Sequence, residues 1–491
     1  MSPEQSLDST SIETRSIGKI IKNAIWLIVQ PLILNLISIA VTGYIARVLG
    51  VEDFGIFNFA FLSFIPMFIA LTGLGLSSVA VRDLARDKSE ADIYIGRILT
   101  IRIIISTLTW LISAILIIVM DHPFKTVVVV WIAGAMILIQ AFTRTHEDLA
   151  RAYEQMKSIA VRDFWSGILL TAFSVIVLLF GGRLYALSLS YIAGSLVALF
   201  LALYYSKKYF VFPKLNWDWK FVKYSIKSGV FFYLAGLVIL INDRIDVTLL
   251  TQIILYKKLS LKIVGYYSSA ILLLSKLWII PNALQAALYP TLSSAWKENK
   301  ELAGDILSRF FSLIVAISLP ASIGLMLIAE PVMNLIYGQS YKDGIYILEL
   351  GSLLIVLWSI NLNLGVALGA ANREKYAFII NLIGLILTLI LGVPLSYYML
   401  HKGMITARIL GQTIVLFLSI AITFKVFSAK LELKRILFVI ASTTIMGIGV
   451  YFTNKLHFTV AIVTGGIIYT ILTLGLKVIT IDEIKSLMRR H

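Results

Sequence analysis

The sequence predicts an all-α, polytopic membrane protein of about fourteen transmembrane helices. Two observations carry that reading: apolar runs of bilayer length fill the 491 residues almost end to end, and basic residues gather in every second gap between them. A span needs ~20 mostly apolar residues, because each helical residue rises ~1.5 Å through a hydrocarbon core of ~30 Å. Runs of that kind lie near 21–48, 54–79, 97–120, 124–146, 161–181, 184–206, 226–252, 264–290, 307–329, 344–369, 376–400, 404–425, 435–453 and 458–477. An even number of crossings puts both termini on one side.

Short loops retained in the cytoplasm carry an excess of Lys and Arg. One set of gaps holds Arg82, Arg86, Lys88 and Arg97, then Arg144, Arg151, Lys157 and Arg162, then Lys207, Lys208, Lys214, Lys220, Lys223 and Lys227. In the alternate gaps Lys125, Arg183, Lys342, Lys402 and Lys455 stand nearly alone, with Lys257, Lys258 and Lys262 as a local breach. Both tails, 1–20 and 478–491, are therefore expected in the cytoplasm, and the protein in the cell (cytoplasmic) membrane. The same pattern accounts for the net charge of +16. Charges spread over alternate loops form no single basic stripe, so nucleic acid is not an expected partner and anionic membrane lipids are. Segment 207–227, with Trp217, Trp219, Phe221 and Tyr224 among its lysines, reads as an interfacial linker.

Residues 1–17 are polar and lead into a full-length span, which reads as targeting by the first helix and not by a cleaved signal. The chain has no cysteine, which excludes disulfides, thiolate metal sites and cysteine nucleophiles. No gap between spans exceeds about 20 residues on this reading, too short for a soluble catalytic domain.

Weak internal similarity divides the chain. Asp53-Phe54-Gly55-Ile56-Phe57 opens span 2 as Ile263-Val264-Gly265-Tyr266-Tyr267 opens span 8, and Arg151 to Lys157 leaves span 4 much as Gly369 to Lys375 leaves span 10. Spans 1–6 then correspond to 7–12 in the same orientation, which predicts two six-helix lobes related by an axis along the membrane normal. The expected divisions are an N-lobe over 21–206, a basic linker over 207–225, a C-lobe over 226–425 and two extra helices over 426–477.

Gly43-Tyr44-Ile45-Ala46-Arg47-Val48-Leu49-Gly50 with Asp53-Phe54-Gly55, then Gly73-Leu74-Gly75-Leu76 and Arg82-Asp83-Leu84-Ala85-Arg86, resembles the start of the Wzx-type polysaccharide-transport flippases. Asp243-Arg244-Ile245-Asp246, Val264 to Ala270, Tyr289-Pro290 and Ile336-Tyr337-Gly338 continue the resemblance, which is diffuse beyond about residue 400. That family belongs to the multidrug/oligosaccharidyl-lipid/polysaccharide (MOP) superfamily. The resemblance implies two lobes around a central cavity. It also implies translocation of a polyprenyl-diphosphate-linked oligosaccharide, such as an O-antigen or exopolysaccharide unit, from the cytoplasmic to the outer leaflet. A monomer without cofactor is the expected setting, acting either alone or with a polysaccharide polymerase or assembly proteins.

Charged residues inside spans are the candidate site, because burying one there costs at least ~2.5 kcal/mol and demands a partner or water. Lys276 near the middle of span 8, Arg47, Arg244 and Arg408 are the candidate cations for the diphosphate. Asp243 and Asp246 in span 7 and Glu349 in span 10 are candidates for binding a coupling ion, H⁺ or Na⁺. For each, a static ion pair or an interfacial side chain is the competing reading. Gln30, Asn35, Asn58, Gln140, Asn242, Asn282, Gln285, Asn361 and Asn363 can line a cavity or bond helix to helix. Pro66 and Pro281, on the repeated second helix of each lobe, are the candidate gating kinks.

An enzyme is disfavoured. Glu52 and Asp53 occupy too short a loop for an active site, and the five histidines show no ligand spacing. A multidrug cation antiporter of the same superfamily is the alternative transporter.

Overall fold

The computed structural model describes residues 35–476. Gln30 and the two tails lie outside the described residues. Among the described residues ten helices are long and apolar enough to cross a membrane. Two of the ten are helical hairpins. Gly50 (φ 77°) splits Asn35–Leu71 into α1 (35–49) and α2 (51–71), and Leu400 (φ 54°) splits Glu374–Phe427 into α16 (374–399) and α17 (401–427). Gly50 adopts a left-handed φ that a side chain resists. At the second turn Gly403 supplies the room, since a Cβ there would fall on the Leu395 carbonyl oxygen.

The other crossings follow in order. α3 (Leu76–Arg86) prolongs span 2, and α4 (Ala91–Val119), α5 (Phe124–Ala152), α6 (Met156–Leu179) and α7 (Leu184–Tyr209) complete the first lobe. Spans 7 and 8 are each made of two helices, α8 (Trp219–Asn242) with α9 (Ile245–Tyr256) and α10 (Lys262–Lys276) with α11 (Ile279–Glu298). Then come α12 (Lys300–Leu327), the short α13 (Ala329–Ile336), α14 (Ile345–Gly351), α15 (Leu353–Ala370), the α16–α17 hairpin, α18 (Leu433–Asn454) and α19 (Phe458–Gly475). With the hairpins divided and the paired helices joined, the described helices group into fourteen segments, the number expected of the spans.

The internal repeat is visible in the backbone. After α5, Tyr153, Glu154 and Gln155 donate to the Leu149, Arg151 and Ala150 carbonyls; after α15, Ala371, Asn372 and Arg373 donate to Ala367, Gly369 and Leu368 in the same pattern. Glu154 and Asn372 both take positive φ, 58° and 56°. Gly50 and Lys258 pair likewise at the first turn of each lobe, and Gly181 and Leu400 at the last.

The ends of the bundle are called outer and inner after the charge pattern. At the outer end the two lobes meet through the repeat itself. A Cβ on Gly55 would lie 2.7 Å from the Gly265 nitrogen and 3.0 Å from the Leu261 oxygen, and one on Gly265 would fall on the Val51 oxygen. The two glycines face each other across the pseudo-two-fold axis, and only the absence of both side chains permits this approach. Arg47 on α1 caps α13 of the other lobe, donating to the Leu335 and Ile336 carbonyls, and Tyr341 OH donates to Ala46 O at 2.9 Å. At the inner end Gly75 abuts the Gly229 backbone, and Tyr233 OH donates to Leu71 O at 3.0 Å.

Asp83 adds an inner latch, accepting from Arg82 and Tyr94 at 2.7 Å and from Tyr224 of α8 at 2.9 Å. Burial by itself would raise the Asp83 carboxyl, but these three donors hold it below its ordinary value. The basic linker is strapped to the first lobe. Lys214 N donates to Asp92 O at 3.1 Å where Gly96 leaves space, Lys214 pairs with the Asp92 carboxylate at 2.6 Å, and Asn216 N donates to Thr100 Oγ1. Lys257, the breach in the charge rule, donates to Tyr397 O and lies 4.4 Å from that ring's centroid, so packing explains its place.

The outer contact predicts that Gly265→Val cannot close. A cysteine placed at buried Ile56 in this cysteine-free chain should react at least ~10-fold faster with an impermeant thiol reagent in the Gly265→Val background than in the wild-type one.

Candidate functional site

The in-span charges of span 7 fall into two groups. Asp246 is fully buried and accepts from Arg408 Nη1, from Tyr267 OH at 2.7 Å and from Val247 N at 2.8 Å. Arg408 lies 5.2 Å from the centroid of Trp358, whose ring stacks on Trp278 at 5.3 Å. This is a closed network inside one lobe, in which each charge has its partner. Asp243 and Arg244 sit at the break between α8 and α9. The Asp243 carboxylate lies within electrostatic reach of Arg408 and Arg244 and accepts no hydrogen bond among the described residues. Arg244 is exposed, and its carbonyl accepts from Ser63 of α2.

Lys276 ends α10, where Leu277 and Trp278 interrupt span 8. A cation is favourable at a helix C-terminus. Its Nζ donates to Ser38 Oγ at 2.7 Å across the lobe boundary, and its carbonyl accepts from Asn35 at 3.5 Å. No carboxylate pairs with it among the described residues. Pro281 follows in the first turn of α11, where its missing N–H costs no helical bond. Pro66 sits just after the π-helical stretch Phe59–Phe64, and the wider turns relieve the clash a proline makes with the carbonyl four residues back.

The other expected site residues are dispersed. Arg47 is committed to capping α13 at the outer end. Glu349 lines a separate cavity of about 510 Å³ with Tyr346, Tyr451, Asn454 and Lys455, against α18. Asn361 donates to Gln412 O at 3.2 Å and Oε1 at 3.0 Å, a helix-to-helix bond. Asn58 is buried with both amide atoms unpartnered, Asn282 is exposed, and Gln285 is partly buried on α11.

The polar cavity that sequence reading passed over lies in the first lobe. It measures about 360 Å³ between α5, α6 and α7, and is lined by Gln140, Thr143, Arg144, Glu147, Arg162, Asp163 and Ser195 with Met136, Ile139 and Ala198. Arg162 holds its wall, donating to Thr143 O at 3.0 Å and pairing with Glu147 and Asp163 at 2.7 Å each. Behind it Arg102 pairs with Asp148 at 2.6 Å and donates to Thr145 and Ser77 at 2.9 Å. Arg144 stands apart from both clusters. It makes no ion pair or hydrogen bond among the described residues, and it lies within electrostatic reach of Asp148, Glu147 and Tyr233 of the opposite lobe. The cavity thus offers a guanidinium beside hydroxyl, amide and carboxylate groups. Among the described residues no three His, Asp or Glu side chains converge as a metal site would require.

Sequence reading took Arg144 and Arg162 as loop cations because the apolar run of span 4 ends near 146. α5 and α6 instead carry helix through both positions. The signal available was spacing: Gln140, Arg144 and Glu147 recur at four and three residues, one helical face.

Residues 20–296, more than half of the chain, match the polysaccharide biosynthesis protein family. The chain belongs to that family. It is 28% identical over 189 residues to the lipid II flippase MurJ of Bacillus subtilis (strain 168), a match that covers 36% of this chain and 35% of that relative. The structure resembles lipid II flippase MurJ in an inward closed conformation, with TM-score 0.67 and 16% identity, over 89% of this chain and 98% of that one. It also resembles a multidrug resistance MATE family transporter of the MOP superfamily in an inward-facing conformation, with TM-score 0.63 and 16% identity, over 80% of this chain and 94% of that one. The family member is thus a multi-pass helical membrane protein that shares the fold of these two structures.

The Asp246–Arg408 pair yields a stability test. Arg408→Leu should destabilise the purified protein by about 3–5 kcal/mol by stranding a buried carboxylate. The Arg408→Leu/Asp246→Leu double variant should recover most of that loss in thermal unfolding.

Proposed function

We propose that the protein moves a polyprenyl-diphosphate-linked oligosaccharide from the cytoplasmic to the outer leaflet of the cell membrane by alternating access, with both termini cytoplasmic. The observation that carries this reading is Arg144, a cation whose side chain makes no ion pair or hydrogen bond among the described residues, in a polar cavity. Such a substrate combines an anionic diphosphate, a sugar head that hydrocarbon excludes and a lipid tail. A guanidinium binds the diphosphate with directed N–H donors, while Gln140, Thr143 and Ser195 offer hydrogen bonds to sugar hydroxyls. Lys276, which needs to give up only the Ser38 hydroxyl, supplies a second cation at the lobe boundary. Paired glycine contacts at both ends provide surfaces on which the lobes close in turn.

Coupling to an ion gradient, H⁺ or Na⁺, fits Asp243 better than Asp246. Asp246 is already held by three donors, whereas Asp243 keeps its acceptor capacity in this geometry. The multidrug-antiporter reading is favoured less, because the family match is to polysaccharide biosynthesis proteins and the polar cavity presents the Arg144 guanidinium, suited to an anionic cargo.

The test is reconstitution into liposomes with a fluorescent polyprenyl-diphosphate oligosaccharide placed on one leaflet. Protein-dependent transfer is expected, reduced at least ~10-fold by Arg144→Ala with the variant still folded. Efflux of small organic cations without lipid transfer would move the assignment to drug antiport.

A further inference from the structure

His122 lies in the turn between α4 and α5, buried, at the boundary of the two lobes. Its Nε2 accepts from the Gln252 side chain of α9, across that boundary, and its ring stacks on Phe59 of α2 at 5.0 Å and 16°. Its Nδ1 is buried and has no hydrogen-bond partner among the described residues. Of the other histidines, His146 bonds Ser206 within the first lobe, His401 faces Asp343 O within the second, and His457 caps α19. His491 lies outside the described residues. Among the described residues His122 is thus the histidine that bonds across the lobes.

We propose that His122 is a proton-binding gate: its neutral imidazole seals the outer end against Gln252, and a proton taken from the outer medium favours separation of the lobes there. This rests on the alternating-access reading and adds to it a ligand, the proton, and a site.

The chemistry has a definite sign. With the ring neutral and its proton on Nδ1, Nε2 accepts from the amide N–H of Gln252, so a proton on that nitrogen removes the acceptor and places a cation against Phe59 with no counter-charge in contact among the described residues. Burial lowers the His122 pKa to about 4, and Asp121, its neighbour in the chain, only partly opposes this. The remaining charges at the outer ends of the elements packed around it are the Asp53–Lys125 pair on α2 and α5, Glu52 at the head of α2, and Lys257 and Lys258 at the end of α9; Asp246 of α9 is held by Arg408 and Tyr267. Opening the outer end exposes the ring and returns it toward an ordinary value near ~6.5. The closed state therefore binds fewer protons, and the ratio of open to closed rises as pH falls below ~6.5. Between pH 8 and pH 5 the rise is about 30-fold. The inner latch does not share this window, because Asp83 is held below its ordinary value and stays ionised down to pH 5.

The absence of cysteine makes the test direct. Spin labels at Phe180→Cys and Leu259→Cys, exposed turns at the outer ends of opposite lobes, report their separation in nanodiscs. The population at long distance should grow about 30-fold in ratio from pH 8 to pH 5, and His122→Gln should abolish that dependence. Gln252→Leu should raise the long-distance population at pH 8 without substrate. An unchanged pH response in His122→Gln, or no pH response in the parent, would overturn the proposal. The readout needs no substrate: labels that move with pH in a protein that transfers no lipid would keep the gate and reject the flippase reading. Lipid transfer with labels indifferent to pH would do the reverse.

Discussion

Hydrocarbon does not tolerate an unpaired charge, and the arrangement of this protein follows from how each lobe meets that demand. The first lobe buries Arg102 against Asp148 and braces Arg162 with Glu147 and Asp163; the second buries Arg408 against Asp246 and Tyr267. These pairs are expensive to desolvate and costly to break singly, so they hold each lobe as a rigid unit. Once they are accounted for, two partly buried in-span cations stand out without a carboxylate salt bridge among the described residues: Arg144 at the polar cavity and Lys276 at the lobe boundary. Both are placed where an anionic cargo would meet them.

Rigid lobes need surfaces that meet and part cleanly. The contacts between them combine close backbone approaches, Gly55 with Gly265 at the outer end and Gly75 with Gly229 at the inner end, with single hydrogen bonds such as Tyr233 to Leu71 O and, at the outer end, packing of Phe54 against Tyr337 and Tyr341. The interrupted spans lie next to them. The π stretch before Pro66, the break at Asp243 and Arg244, and the break at Leu277 and Trp278 put irregular backbone beside the lobe boundary, where polar groups can satisfy it.

Much of the fold was legible in the sequence, because apolar length and loop charge are local signals. The repeat was legible too, since the glycines at 55 and 265 and the turns after spans 4 and 10 serve the same geometry twice. The site was less so. Asp243, Asp246, Lys276 and Arg408 stood out against apolar neighbours, but whether a charge is paired depends on residues far off in the chain, as with Asp246 and Arg408. Arg144, Arg162 and Asp148 were hidden for a different reason. Arg144 and Arg162 lie at the very ends of their apolar runs and Asp148 just past one, on helices that continue beyond, and the charge pattern assigns such residues to the loop. Arg47 misled in the opposite sense: an apparent in-span cation is the cap of α13 at the outer surface.

The central claim is that the cavity between α5, α6 and α7 receives the charged head of a lipid-linked sugar. A photo-crosslinking amino acid at Ser195, with a matched one at Glu349 in the cavity beside α18, tests it most directly in membranes supplied with a radiolabelled polyprenyl-diphosphate oligosaccharide. The account predicts label captured at Ser195 and competed by unlabelled lipid-linked oligosaccharide. Capture at Glu349 alone, or capture at Ser195 that the unlabelled compound does not compete, would contradict it.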